Sequence, residues 1–374
     1  MPIFELSWLA GIAAAVLAAW LSPTWLRPWL IGGIALTYLS LQDLPSALML
    51  LLMAGLTYWS GARAGHRGLG TVAAAVLILG ILVIFKVAAN PSFGLAMPLG
   101  MSYYTFRCVH YLLEQLKQNL PRHTVGEFAA YLFFLPTLIA GPIHRFPEFH
   151  RDHRRARFSM QHLSEGFERI LYGYAKILLL ANFLIAQRLT PIISALESDW
   201  AWGSAYLGML AGGFTGYLMF AGYSDVAIGT ARLMGYRVIE NFNNPFASRN
   251  IVEFWRRWHI SLTSWVREYL YTAVFALTRR PYLAAMIALL AIALWHEFTW
   301  RYVIWGLAHG AAVALCQWYQ RRRTERGVAL AGSRVGGGVA WLVTFHFVML
   351  SFVLVQHDTE RALEVYGTLI GVGR

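Results

Sequence analysis

Among the twelve histidines of this 374-residue sequence, His296 stands out in an apolar stretch near the C-terminal end. It lies in AAMIALLAIALWHEFTWRYVIWGLAHG, fourteen positions after Tyr282, where the apolar run begins. An imidazole titrates near a pKa of about 6.5 in water. Burial at that depth would hold it neutral and able to accept a proton. Ionisable groups inside a membrane segment are costly and by default mark function. On its residues alone, His296 fits two roles equally: a buried imidazole bonding a carbonyl across a helix interface, or a general base.

The neighbouring HEFTW invites comparison with the zinc motif HExxH, which needs a second histidine four residues on. Position 300 is Trp, so no metal is expected. Glu297 has Arg301 four residues ahead, the favoured order for an ion pair on one helix. His259 lies in NIVEFWRRWHISLTSWVREYLY, where Phe254, Trp258 and Leu262 share one helical face while Arg256 and Arg267 lie elsewhere. That profile predicts an amphipathic helix along the membrane interface, with His259 a polar tip at headgroup level. His309 follows Gly306 by three residues, in a segment suited to close helix packing. Asp225 is the remaining deep carboxylate, and Arg232 is its expected partner. His144, His150, His153 and His162 are interleaved with arginines, which predicts a solvated cytoplasmic loop rather than a metal site. The sequence has no GxSxG elbow, no P-loop and no Rossmann fingerprint.

These residues must be carried by membrane helices. Hydrophobic residues make up 57% of the chain and charged residues 13%, where a soluble domain has about 25% charged. At about 20 apolar residues per crossing, there is room for roughly ten helices and little else. The excess of 31 Lys+Arg over 19 Asp+Glu gives a formal charge of +12. Basic cytoplasmic loops facing anionic lipid explain that excess better than nucleic-acid binding does. Cys108 and Cys316 both lie in apolar, helix-like stretches, so neither a disulfide framework nor a cysteine metal site is expected. The N-terminal run lacks the basic leader of a cleaved signal peptide and reads as a retained first helix.

Apolar runs cover residues 6–21, 25–41, 44–58 and 69–85. Arg63, His66 and Arg67 place the loop after the third run in the cytoplasm, which puts Asp43 outside, Arg27 inside and the N-terminus outside. Residues 90–92 then fall outside, while the basic block 144–158 belongs inside. Two full crossings by 97–116 and 128–143 would put that block outside, so at least one of these stretches is expected to dip in and return. Gly100 and Gly141-Pro142 are the expected breaks, and such backbone needs protein or water to satisfy its polar groups. Further on, 167–185 reads as a crossing, and 205–234 as a long stretch broken at Gly222-Tyr223-Ser224-Asp225. A polar segment, 237–257, includes Asn241, Asn243, Asn244 and Pro245. Residues 282–300, 302–318 and 339–355 are apolar again, and no internal repeat is visible.

Four stretches give the chain a family likeness: PLGMSYYTFRCVHYLLEQ, LFFLPTLIAGPIHRF, ENFNNPFASRNIVEFWRRWHISLTSWVREYLY and LWHEFTWRYVIWGLAHG. In these it resembles the membrane-bound O-acyltransferase family, in the bacterial branch of alginate O-acetylases and D-alanyl-lipoteichoic-acid exporters. The likeness implies an all-α polytopic membrane protein of ten to twelve transmembrane or re-entrant helices around a central funnel. It implies one domain over 1–374, with a family-like core at 97–310, N-terminal helices in 1–90 and a C-terminal helix at 336–357. The family's near-universal histidine follows a Leu-Trp pair and corresponds to His296; its second, in RRWHISL, corresponds to His259. Asn244, Arg256, Trp258, Ser261, Trp295 and Trp300, in the same two motifs, become the substrate-contact candidates.

The resemblance further implies no permanently bound cofactor and a thioester donor, either acetyl-CoA or an acylated carrier protein at the cytoplasmic face. The acceptor would be an extracytoplasmic polymer, reached through a partner acyltransferase, in a bacterial cytoplasmic membrane. Glu297 stands where the family usually has Gly, and the acetylase branch's Gly-Gly-Asn loop is absent from 271–281. The TFR segment leans toward the D-alanyl branch, and RRWHISL and AGPI toward the acetylases. A transporter would use similar broken helices, though with repeated halves, and a scaffold subunit would only dock a carrier or a transferase.

Overall fold

The computed structural model describes residues 4–63, 68–88, 96–327 and 334–372. The loop positions His66 and Arg67, and residues 90–92, lie outside the described residues. Helices dominate, and no strand occurs among the described residues. Contacts divide the chain into two units, Met1–Gly173 with Tyr223–Ile239, and Tyr174–Gly222 with Glu240–Arg374.

In the first unit, α1 (Leu6–Leu21), α2 (Arg27–Gln42), α3 (Leu44–Arg63) and α4 (Leu69–Ala88) follow the four apolar runs closely. Leu6, Leu21, Trp25 and Leu69 are each more than 70% exposed. Apolar surface of that kind is what lipid covers. This is a membrane protein. The helices Leu69–Ala88, Met160–Ala195 and Val335–Gln356 are long and apolar enough to cross a bilayer, and Leu6–Leu21, Leu44–Ser60, Val125–Thr137 and Pro281–His296 are shorter apolar helices.

After α5 (Met101–Leu116) the chain is broken at both expected glycines rather than running as two full-length helices. α6 (Val125–Leu132) opens on a capping box between Thr124 and Glu127 and runs for only eight residues. A single 3-10 turn, Leu135–Thr137, follows, and Gly141 takes a positive φ of +122°. Gly100, also at positive φ (+72°), caps the start of α5. A Cβ there would lie 2.4 Å from the Leu138 carbonyl oxygen, so only glycine lets the two breaks pack together. Arg107 of α5 ties the end of α6 to the 3-10 turn. Its fully buried guanidinium donates to the carbonyls of Leu132 (3.0 Å) and Thr137 and to Thr137 Oγ1 (2.5 Å). Arg107→Met should therefore strand those carbonyls, at about 1–3 kcal/mol each. A melting curve in detergent that matched the parent protein's would refute this role.

Three expectations need correction in this unit. Residues 144–155 do not form a solvated loop: α7 (Phe146–Arg155) buries Phe146, Phe149, His150 and His153, spaced i, i+3, i+4 and i+7 on one face. His144 is buried as well and pairs with Thr137 Oγ1 at 2.9 Å. Asp225 pairs with Arg169 of α8 (Met160–Tyr174) at 2.8 Å, not with Arg232. Arg232, seven residues from Asp225 and so two turns along the same helix, bonds Glu165 instead. Nor is the helix broken at Gly222-Tyr223-Ser224-Asp225, since residues 201–233 form one continuous helix. The stretch contains no proline, and isolated glycines weaken a helix without ending it.

In the second unit, a π-helical stretch (Ala175–Leu189) leads into α9 (Thr190–Ala195) and α10 (Ala201–Leu233), whose residues beyond Gly222 belong to the first unit. α11 (Ile251–Arg257), α12 (Ile260–Val266) and α13 (Thr272–Thr278) carry the RRWHISL region. α14 (Pro281–His296) and α15 (Trp300–Glu325) pack as an antiparallel pair, with α16 (Arg334–Gln356) and α17 (Thr359–Leu369) completing the unit. The α14–α15 approach is close enough that a Cβ on Gly306 would fall 2.6 Å from the Ala293 side chain.

Candidate acyl-transfer site

The second unit gathers both histidines of the two motifs. α11 ends at Arg257, Trp258 is extended, and His259 adopts a left-handed conformation (φ 44°, ψ 52°) before α12 begins. The expected continuous interfacial helix is thus two helices with a break at His259, and His259 is 2% exposed rather than a tip among headgroups. A non-glycine residue at positive φ is strained, and such strain clusters at functional sites.

A short loop holds this break. Ile260 N–H donates to the Asn241 carbonyl (2.9 Å), and Asn243 N–H to the Arg257 carbonyl (3.0 Å). The fully buried Asn241 side chain then fixes the imidazole. Its Oδ1 accepts from Ser261 Oγ (2.8 Å) and from the Ser261 amide (3.3 Å). An atom that accepts from a backbone N–H is an oxygen, so His259 Nδ1, 3.0 Å away, must be the donor. Nε2 therefore carries the lone pair, and it is buried without a hydrogen-bond partner. This segment lies outside the crossing helices. Burial first, and the neighbouring His296 imidazole second, disfavour the protonated form of His259. Phe220 packs edge-on against the ring at 4.7 Å.

His296 differs from its expected setting. It is the last residue of α14 and is exposed, not buried in mid-helix. The helix stops because Glu297 turns extended (φ −158°, ψ 141°), and Thr299, also extended, caps α15. Glu297 and Arg301 do pair, at 3.5 Å, but across this helix break and not along one helix. Arg301 also donates to the Leu354 and His357 carbonyls, which ties the break to the end of α16.

Trp295 bridges the two histidines, 6.1 Å from His259 and 4.6 Å from His296 between ring centroids. Tyr302 stacks on His296 at 5.9 Å. Of the other candidates, Ser261 joins the Asn241 cluster directly. Trp258 stacks on Phe254 (5.5 Å) and contacts Phe242 and Phe352, so it supports the break from behind. Arg256 is exposed and lines a cavity of about 320 Å³ with Trp255, Thr263, Ser264, Arg267 and Ala288. Asn244 is exposed at a left-handed turn, where its carbonyl accepts from Arg257 (3.4 Å). Trp300 is exposed at the start of α15. The residue that sequence reasoning missed is Asn241. Its one signal was membership of an asparagine-rich polar segment.

Residues 35–355 match the family described as MBOAT, membrane-bound O-acyltransferase. The chain belongs to this family. A probable alginate O-acetylase of Pseudomonas aeruginosa is 34% identical over 357 residues, which is 87% of this chain and 66% of that protein. The chain thus spans just under two thirds of that relative's length. A teichoic acid D-alanyltransferase of Bacillus subtilis is 30% identical, covering 82% of each chain. A peptidoglycan O-acetyltransferase of Helicobacter pylori is 27% identical over 74% of this chain and 58% of its own.

Proposed function

We propose that the chain is an O-acyltransferase. It moves an acetyl or D-alanyl group from a cytoplasmic thioester donor, acetyl-CoA or an acylated carrier protein, toward hydroxyls of an extracytoplasmic envelope polymer. An extracytoplasmic partner transferase completes the delivery. The observation that carries this reading is the His259–Trp295–His296 cluster, with the His259 tautomer set by Asn241. An exposed His296 at a helix end is reachable by a substrate, whereas a packed one would not be.

In this reaction His296 removes the proton from an attacking hydroxyl as its oxygen bonds to the thioester carbonyl. The tetrahedral intermediate collapses, the carbon–sulfur bond breaks, and the histidinium returns the proton to the departing thiolate. The products are an ester and a free thiol. His259 presents an acceptor at Nε2, which suits holding an O–H or N–H of donor or acceptor but not an oxyanion. The 320 Å³ cavity, lined by Arg256, Arg267, Ala285, Ala288 and Leu289, includes Ile260 next to His259 but neither histidine itself, and offers room for the arm of a thioester donor. α1, α2, α5 and α14 are 16 residues each, about 24 Å at 1.5 Å per residue. That is short of a hydrocarbon core of about 30 Å, which supports a locally thinned membrane.

The full proposal has the chain as one acyltransferase domain of ten to twelve crossing or re-entrant helices around a funnel. It sits in a bacterial cytoplasmic membrane with its N-terminus outside. Incubating the purified protein with radiolabelled acetyl-CoA and, separately, with a radiolabelled aminoacyl carrier protein tests the function and identifies the donor. Label should leave one donor and not the other; no transfer from either, with or without a hydroxyl acceptor, would refute an enzymatic role.

A further inference from the structure

His309 has no role in the reaction just described, yet it is 1% exposed and lies one ring away from His296. Its surroundings fix its chemistry. Ser351 Oγ donates to the Val348 carbonyl at 2.7 Å, so that hydroxyl has no proton left for the histidine. The 2.9 Å contact from His309 Nε2 must then be an N–H donated to Ser351. His309 Nδ1 is consequently a lone pair, and it is buried without a partner.

Two further buried nitrogens share this condition. Trp255 Nε1 and Trp305 Nε1, on rings 6% and 5% exposed, have no acceptor. The three rings form a closed triangle, with centroids 5.8 Å apart for Trp255–Trp305, 5.5 Å for Trp255–His309 and 4.5 Å for Trp305–His309. Buried polar atoms are nearly always satisfied, and each exception calls for an explanation. Two unpaired donors and one unpaired acceptor match the valence of one water molecule. A water within reach of all three would accept from both indoles, donate to Nδ1, and keep one proton for a further bond. Trp305 also lies against the His296 ring, 6.3 Å between centroids, and so links this triangle to the proposed base.

We propose that Trp255, Trp305 and His309 bind one ordered water that orients His296, which makes His309 a positioning residue for acyl transfer. The inference rests on the acyltransferase reading for its kinetic consequence, though not for the water site itself. Three variants of the full-length protein in detergent separate it from simple packing. His309→Phe keeps the ring size and removes both nitrogens. His309→Gln keeps one donor and one acceptor, and Trp305→Phe removes only the indole N–H.

The expected result is a kcat lower by about 10-fold for His309→Phe, below the 10²–10⁴ of direct proton transfer, with KM unchanged. His309→Gln should recover most of that loss, and Trp305→Phe should fall between them. A His309→Phe protein that melts and turns over like the parent overturns the proposal, as does a His309→Gln protein no more active than His309→Phe. Where His309→Phe fails to fold, Trp305→Phe decides, and parental kcat there overturns the proposal. Indole ¹⁵N spectra, assigned with Trp255→Phe and Trp305→Phe, read the site without any activity. Both N–H groups should appear hydrogen-bonded in the parent and shift in His309→Gln and His309→Phe. Unbonded indoles in the parent overturn the water site, whereas bonded indoles in a protein that transfers no acyl group refute only the acyltransferase reading.

Discussion

Replacing His296 with alanine should reduce acyl transfer by about 10²–10⁴-fold, the range expected for loss of a general base, while leaving the protein folded. The two halves of this expectation have separate grounds. The kinetic half rests on the bridge through Trp295 to His259 and on an imidazole open to substrate at the end of α14. The structural half follows from the same exposure. Truncation there gives up ring contacts with Tyr302, Trp295 and Trp305 at a solvent-open helix end. Exposed positions typically cost within about 0.5 kcal/mol. Purified His296→Ala protein should melt as the parent does and transfer no measurable label from donor to acceptor. Parental activity would remove His296 from the mechanism, and loss of the folded state would show that it packs rather than reacts.

How much of this was legible in the sequence depended on the range of the interaction involved. The first four helices appeared within a few residues of their apolar runs, because hydropathy is a property of consecutive residues. The break at Gly141 falls where the positive-inside rule argued against two full crossings before Arg145. What failed were claims about pairing and local breaks. Asp225 chose Arg169, 56 positions away, over Arg232, and nothing local distinguishes those two arginines. The single helix expected around His259 gave no hint of a left-handed residue, because the break is held by a loop 18 positions upstream. The stripe at Phe146, Phe149, His150 and His153 was readable but was hidden by Arg151 within it and by Arg145, Arg154 and Arg155 beside it. Motif resemblance found the two histidines; only coordinates show which nitrogen of His259 is free.

That nitrogen leads to the second large effect, at Asn241. Leucine in its place removes the acceptor for His259 Nδ1–H and for both donors of Ser261. Each buried donor left unsatisfied costs about 1–3 kcal/mol, so Asn241→Leu should melt well below the parent and lose activity with the break at His259. Aspartate separates that structural role from the chemical one. Asn241→Asp keeps the accepting Oδ1 and should retain the fold, but it turns the amide NH2 into a second oxygen and sets a buried negative charge beside the imidazole. An adjacent carboxylate favours the charged form and raises the imidazole pKa. Below that raised pKa, Nε2 carries a proton and donates where the parent accepts. Activity of Asn241→Asp should therefore be low at neutral pH and recover as pH rises through the new pKa, a limb that the parent lacks. The ratio of variant to parental kcat across pH 6–9 is the measurement. A ratio that is flat and near one would mean that an acceptor at His259 Nε2 is not required. A flat and low ratio would mean that Asn241 matters for shape alone.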